Sequence, residues 1–277
     1  MTNQAANTAG AQAPRITLIG CGAIARALLV QSRAMPHLLI THVVVRSARV
    51  KATQEVLDQL GLGARAVGQV PVDAELLLEC AGHGALLEHV LPALTRGVEC
   101  GVLSVGALSQ PGLPERLEAA ARAGGTRLNL LSGAIGAIDA LAAARLGGLD
   151  EVIYTARKPP AGWRGTAAEK VLDLASLTTA ATIFEGSARA AAATYPKNAN
   201  VAATLSLAGV GLDATRVRLI ADPNVTDNVH EVEARGAFGE LRLSMRGKPL
   251  ADNPKTSALT VLSGLRFLCN RSLPLAI

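Results

Sequence analysis

Aromatic side chains are scarce in this chain, with three phenylalanines, two tyrosines and one tryptophan among 277 residues. Apolar residues nevertheless make up 49% of it, so the core has to be built from Ala, Val, Leu and Ile. Cysteine is sparse and never clustered: Cys21, Cys80, Cys100 and Cys269 stand far apart among apolar neighbours. Without a Cys-x-x-Cys pair or a Cys/His ligand spacing, no metal site is expected, and the thiols read as buried groups in a reducing cytoplasm. No apolar run of about 18 residues is free of charge, which argues against a membrane span. Basic tracts with interleaved aromatics are missing too. The formal charge of +5 is spread among acids, a balance that suits anionic small molecules and not nucleic acid. Residues 1–14 lack both a basic start and an apolar block, so a disordered tail is expected there and not a secretory signal. Neither a Ser-His-Asp order nor a G-x-S-x-G elbow occurs, which leaves acyl transfer without support.

What the chain does have is a strand, a glycine turn and a helix near its start, in the run Arg15-Ile-Thr-Leu-Ile-Gly-Cys-Gly-Ala-Ile-Ala25. Gly20 suits a backbone conformation that a Cβ would oppose, and Gly22 lets a pyrophosphate approach the main chain. Ala25 supplies the small third residue for close helix–strand packing. Phosphates would sit on the N–H groups of Gly22, Ala23 and Ile24 at the positive end of the helix. A second apolar run, 38–45, reads as a buried parallel strand. At its end a dinucleotide-binding unit that prefers NAD carries an acid for the ribose 2′-OH. This chain has Val45-Arg46-Ser47-Ala48-Arg49 instead. That pattern admits NADP as well as NAD, unless Arg46 and Arg49 belong only to a solvated loop.

Strand and helix signals go on alternating through 64–67, 75–80, 82–96, 99–104, 113–123 and 127–132, the mark of a parallel, doubly wound sheet. We read residues 15–135 as an α/β Rossmann domain binding NAD or NADP. Ligands bind beyond the carboxyl ends of such strands, so Ala81-Gly82-His83-Gly84 and Ser104-Val105-Gly106-Ala107 join the glycine turn as cleft segments. A helix is expected to open at Ser132 and to end at Gly147-Gly148. Beyond it come a strand at 151–157, Ala-rich helices at about 178–194 and 198–209, and strands at 216–220, 228–235 and 240–245. Consecutive strands of this kind indicate an antiparallel or mixed sheet, hence an α+β substrate and dimerisation domain over 136–254. The last helix, within 255–277, is expected to pack back on the first domain.

On the strand 228–235, His230 shares a face with Val232 and Ala234, so it points to the apolar layer or the interdomain cleft. It reads either as a satisfied core histidine or as a catalyst, with His83 as its competitor. Arg157, Lys158, Arg164 and Lys197 are the cations placed to hold a carboxylate, or simply to be solvated. Asn198 and Asn200 precede a helix that either could cap.

The set Gly20-Cys-Gly-Ala-Ile-Ala25, Ser132-Gly-Ala-Ile-Gly136, Arg157-Lys-Pro-Pro160, Asn198-Ala-Asn-Val-Ala-Ala203, Asp222-Pro223 and Asn228-Val-His-Glu-Val232 resembles the L-aspartate dehydrogenase family, in order and at family spacing. The resemblance implies that Ala134 and Asn200 contact the nicotinamide cofactor and that His230 acts in catalysis. It implies L-aspartate, oxaloacetate and ammonia as reactants, a homodimer, and a role in supplying iminoaspartate for NAD biosynthesis. Lys158, Lys197 and His83 are then the expected substrate-binding residues, and Ala81 and Gly82 join the cofactor-binding set. The missing acid at Val45-Arg46 departs from strict NAD preference. Two rivals to this reading are a related two-domain reductase of another aspartate-family metabolite and a dinucleotide-binding sensor without catalysis.

Overall fold

Arg15–Ile19 forms strand β1, which opens the first of two main sheets in this computed structural model; residues 13–196, 199–250 and 253–277 are described. Helix α1 (Ala23–Ser32) leads to β2 (Leu39–Val44), α2 (Val50–Gln59) to β3 (Arg65–Val67), and then come β4 (Leu76–Glu79), α3 (Leu91–Thr95), β5 (Glu99–Val102), α4 (Leu113–Ala123) and β6 (Leu128–Leu130). The six strands pair in parallel in the order β3-β2-β1-β4-β5-β6, which two βαβ halves wound outward from β1 produce. Both faces of the sheet are covered. Leu77 of β4 packs with Leu86 and Leu94, while Leu76 and Leu78 pack with Leu28, Val261 and Leu268 on the other side. Burial on both faces is why the strand reads as an unbroken apolar run and not as an alternating one. Only Thr53 and Leu57 of α2 are buried, a stripe too narrow to announce that helix in the sequence.

The second unit comprises α5 (Ile138–Gly147), β7 (Leu149–Lys158), β8 (Ala181–Ser187), α6 (Ala188–Thr194), α7 (Asn200–Ala208), β9 (Arg216–Ala221), β10 (Asn228–Gly236) and β11 (Gly239–Gly247). Its sheet runs β11-β10-β7-β9-β8 and is mixed, with β7 and β9 parallel and the other neighbours antiparallel. Two helix expectations need correction. Residues 181–187, expected within a helix, form β8, where Thr182, Ile183 and Phe184 favour extended backbone. The helix begins only after Ser187, whose Oγ accepts from the Ala190 N–H at 3.2 Å. The helix expected from Ser132 opens at Ile138, because Gly133 (φ 62°) and Ala137 (φ 60°) are left-handed.

A short hairpin of β12 (Pro249–Leu250) and β13 (Asn253–Ser257) leads into α8 (Ala258–Ser272), which returns to the first sheet as expected. There a Cβ on Gly101 would lie 2.6 Å from the Phe267 ring, so the helix seats directly on β5. Arg271 fastens its end to Glu99 at 2.6 Å. Among the described residues no helix is long and apolar enough to cross a membrane.

Candidate active site

The first wall is backbone. Gly20 follows β1 at φ 93°, and a Cβ there would stand 2.8 Å from Cβ of Ala81, so conformation and contact both demand glycine. Gly22 precedes α1, and a Cβ built on it meets nothing within 4 Å. Helix α1 has neither an acid in its first turn nor a side-chain cap, and Gly20, Cys21 and Gly22 at its start line a cleft of about 550 Å3. A dinucleotide pyrophosphate fits such a cradle in both shape and donor chemistry. Arg46 and Arg49 line the same cleft from the end of β2, and Ala81, Gly82 and His83 line it from the loop after β4. Ala23 is the first residue of α1. Ile24 instead borders a second cavity, so this helix end stands between the two.

That second cavity, of about 150 Å3, is walled by the mixed sheet and by segments that follow β5 and β6 of the first. Strand alternation puts Tyr154, Ala156 and Lys158 on one face of β7. In the β7–β10 register His230 lies opposite Ala156 and diagonal to Tyr154, so a small residue leaves room for the imidazole while the phenol reaches it. The Tyr154 hydroxyl and His230 Nδ1 are 2.8 Å apart, with the two rings stacked at 6.0 Å between centroids. Tyr154 thereby takes Nδ1 and leaves Nε2 as the nitrogen for a reactant. Burial, reinforced by the charge of Lys158, holds the His230 imidazole down to about 4. Burial likewise lowers the Lys158 ammonium to about 8. Lys158 lies 5.0 Å from the centroid of the buried Trp163 ring, whose N–H donates to the Ile220 carbonyl at 3.0 Å.

Ala134 and Asn200 enter the same cavity as His230 and Lys158. Asn200 is no cap: Ala199 holds that position, and the Asn200 Oδ1 accepts from the Gly106 N–H at 2.9 Å, across to the first sheet. Other candidates fall elsewhere. Arg157 pairs with Asp222 at 3.1 Å on the opposite face of the sheet. Arg164 is exposed and borders a neighbouring cavity. His83 lies in the dinucleotide cleft, with Nε2 near Gly106 and not in the His230 cavity. Lys197 and Asn198 lie outside the described residues, as do residues 1–12 of the expected tail. Among the described residues no group of three or more His, Cys, Asp or Glu could hold a metal ion.

Sequence reasoning passed over Tyr154 and Glu79. The phenol is recognisable only once the register of β7 against β10 is known. Glu79 did leave a signal, as an acid closing the otherwise apolar run Leu76-Leu-Leu.

A parallel six-stranded sheet with a glycine turn, closed at its strand ends by a mixed sheet carrying His, Tyr and Lys, defines a two-domain nicotinamide-dinucleotide dehydrogenase. Residues 139–271 match the family model for the aspartate dehydrogenase C-terminal region, and 20–130 match that for the homoserine dehydrogenase NAD-binding domain. The chain belongs to the L-aspartate dehydrogenase family. It is 59% identical over 258 residues to the L-aspartate dehydrogenase of Cupriavidus necator, covering 93% of this chain and 97% of that one. The Pseudomonas aeruginosa L-aspartate dehydrogenase is 57% identical over 264 residues, covering 95% and 99%. Among solved structures, the aspartate dehydrogenase of Thermotoga maritima superposes with a TM-score of 0.75 at 26% identity, covering 95% of this chain and 99% of that one. A hyperthermophilic archaeal homoserine dehydrogenase shares the fold, with a TM-score of 0.58 at 11% identity over 95% and 98% of the two chains.

Proposed function

We propose that this chain oxidises L-aspartate to iminoaspartate, which water converts to oxaloacetate and ammonia, and that it runs the reverse reductive amination. The observation that carries the reading is the meeting of His230, Lys158, Ala134 and Asn200 in one cavity beside the glycine-turn cleft. The names of its relatives point the same way. A bound nicotinamide dinucleotide would supply the acceptor for the hydride lost from Cα of the amino acid. Gly20, Gly22, Ala23 and Ile24 would hold its pyrophosphate, and Ala81, Gly82, Ala134 and Asn200 would border its nicotinamide end.

The remaining work falls to side chains. With its imidazole held down to about 4, His230 is neutral at pH 7 and can take a proton from water attacking the imine carbon. A base at Nε2 requires the proton on Nδ1, and the Tyr154 oxygen then accepts it. The proton returns to the departing amine, and nitrogen leaves as ammonia. Lys158, still mostly charged at pH 7, holds a substrate carboxylate. His83 and Lys197 complete the proposed substrate set, His83 from the dinucleotide side.

Arg46 and Arg49 on the cleft wall, with no acid at the end of β2, support use of NADP as well as NAD. The family resemblance also supports a cytoplasmic homodimer that supplies iminoaspartate for NAD biosynthesis. The test is oxidation of NADPH and NADH by oxaloacetate with and without ammonium. Ammonium-dependent oxidation is expected; oxidation without ammonium, or none, overturns the reading. Replacing Arg46 by Ala should weaken NADPH use about fivefold, roughly one lost charge-assisted contact, and leave NADH unchanged.

A further inference from the structure

Glu79 ends β4 beside the glycine turn, in register with Ile19, and is fully buried. Its Oε1 accepts from the Ala81 N–H at 2.7 Å, the Gly82 N–H at 2.7 Å and the Ser104 hydroxyl at 2.9 Å. Its Oε2 accepts from the Ser104 N–H at 3.0 Å. Every partner is a neutral donor. Among the described residues no cation stands within ion-pair distance of this carboxylate. A buried carboxylate is tolerated only where hydrogen bonds replace its hydration, and here two loops supply all of them. A glutamine has a single acceptor oxygen, and placing it where Oε1 lies would turn its N–H2 group toward the Ser104 N–H.

The two loops are the cleft walls. Ala81 and Gly82 border the dinucleotide cleft, yet their N–H groups point at Glu79 and so are spent on the protein. Ser104 leads into a short 3₁₀ turn, Val105–Ser109, whose Gly106 N–H holds Asn200. The fit at Gly106 is close: a Cβ there would lie 2.6 Å from Asn200 Oδ1 and 3.1 Å from His83 Nε2. One carboxylate thus sets the height of the 81–84 loop, the 105–109 turn and, through Gly106, the Asn200 side chain. We propose that Glu79 is the positioning residue of the nicotinamide half of the cleft, acting through Ala81, Gly82 and Ser104 and not by touching a reactant. The inference rests on the reading above that a nicotinamide dinucleotide occupies this cleft.

The adenine half rests on other groups, on Gly22 and Arg46, so the two halves can be weighed separately. Calorimetric titration of the full-length protein with NAD+ and with ADP, and with NADP+ and 2′-phospho-AMP, does this without turnover. In Glu79→Gln the whole dinucleotide should bind more than about tenfold more weakly, while the adenine-half ligand stays within about twofold of wild type. Ser104→Ala keeps the carboxylate and three of its donors, and should shift the same way by about threefold. If Glu79→Gln does not fold, Ser104→Ala decides. Equal loss for both ligands, or loss for neither, overturns the proposal while leaving the dehydrogenase reading in place. A wild-type protein that binds no dinucleotide overturns both.

Discussion

The two halves of the cleft are built from different materials. On the parallel sheet the groups proposed to hold the dinucleotide are mainly main-chain, namely Gly20, Gly22 and loops held by Glu79, with Arg46 and Arg49 at the cleft edge. On the mixed sheet the working groups are side chains, His230, Tyr154 and Lys158, placed by strand register and shifted by burial. A backbone site holds a ligand whose charge is fixed, whereas a side-chain site can move protons. On the proposed function, dinucleotide binding belongs to the first half and acid–base work to the second.

That division is open to attack by mutation. The largest expected effect is on His230→Ala, which should lower kcat about 10²- to 10⁴-fold while dinucleotide affinity, read by calorimetry, stays near wild type. Equal damage to affinity would erase the distinction. The mirror experiment is Gly22→Val. Beyond Gly22 and its chain neighbours, no atom lies within 4 Å of the added Cβ, so thermal stability should hold while dinucleotide affinity falls about 30-fold. Loss of stability instead would show that Gly22 serves the fold. Lys158 offers a smaller effect with a sign fixed by its value of about 8. Its charge is present below that pH and lost above it, so inhibition by succinate should be about tenfold weaker at pH 9 than at pH 7. Lys158→Met should bind succinate weakly at both. Tyr154→Phe removes one hydrogen bond from the imidazole, and a kcat loss of about fivefold is expected with little change in KM. An unchanged kcat would reduce the phenol to packing.

The same division explains what could be read without a structure. The glycine turn is local, so Gly20, Gly22 and Ala25 announce the strand, the turn and the helix from eleven consecutive residues. Alternation did the same for the parallel sheet, and period-2 patterning put His230 on the inner face of β10. Non-local facts stayed hidden. Tyr154 meets His230 across 76 residues, and Asn200 reaches Gly106 across 94, by pairings that no local pattern encodes. The helix expected over 178–194 erred for a local reason, since alanine-rich composition drew attention past the Thr-Ile-Phe core of β8. Family resemblance pointed to Asn200 as a ligand contact, but not to the link it makes between the sheets.

Between the two sheets the chain passes twice, once through the segment after β6 and once through β13 into α8. Ser132, Gly133 and Ala134 of the first crossing and Thr256 and Ser257 of the second all line the His230 cavity. Both covalent links between the two sheets therefore run through the wall of that cavity. A change at either crossing thus alters the wall of that cavity as well as the link between the sheets.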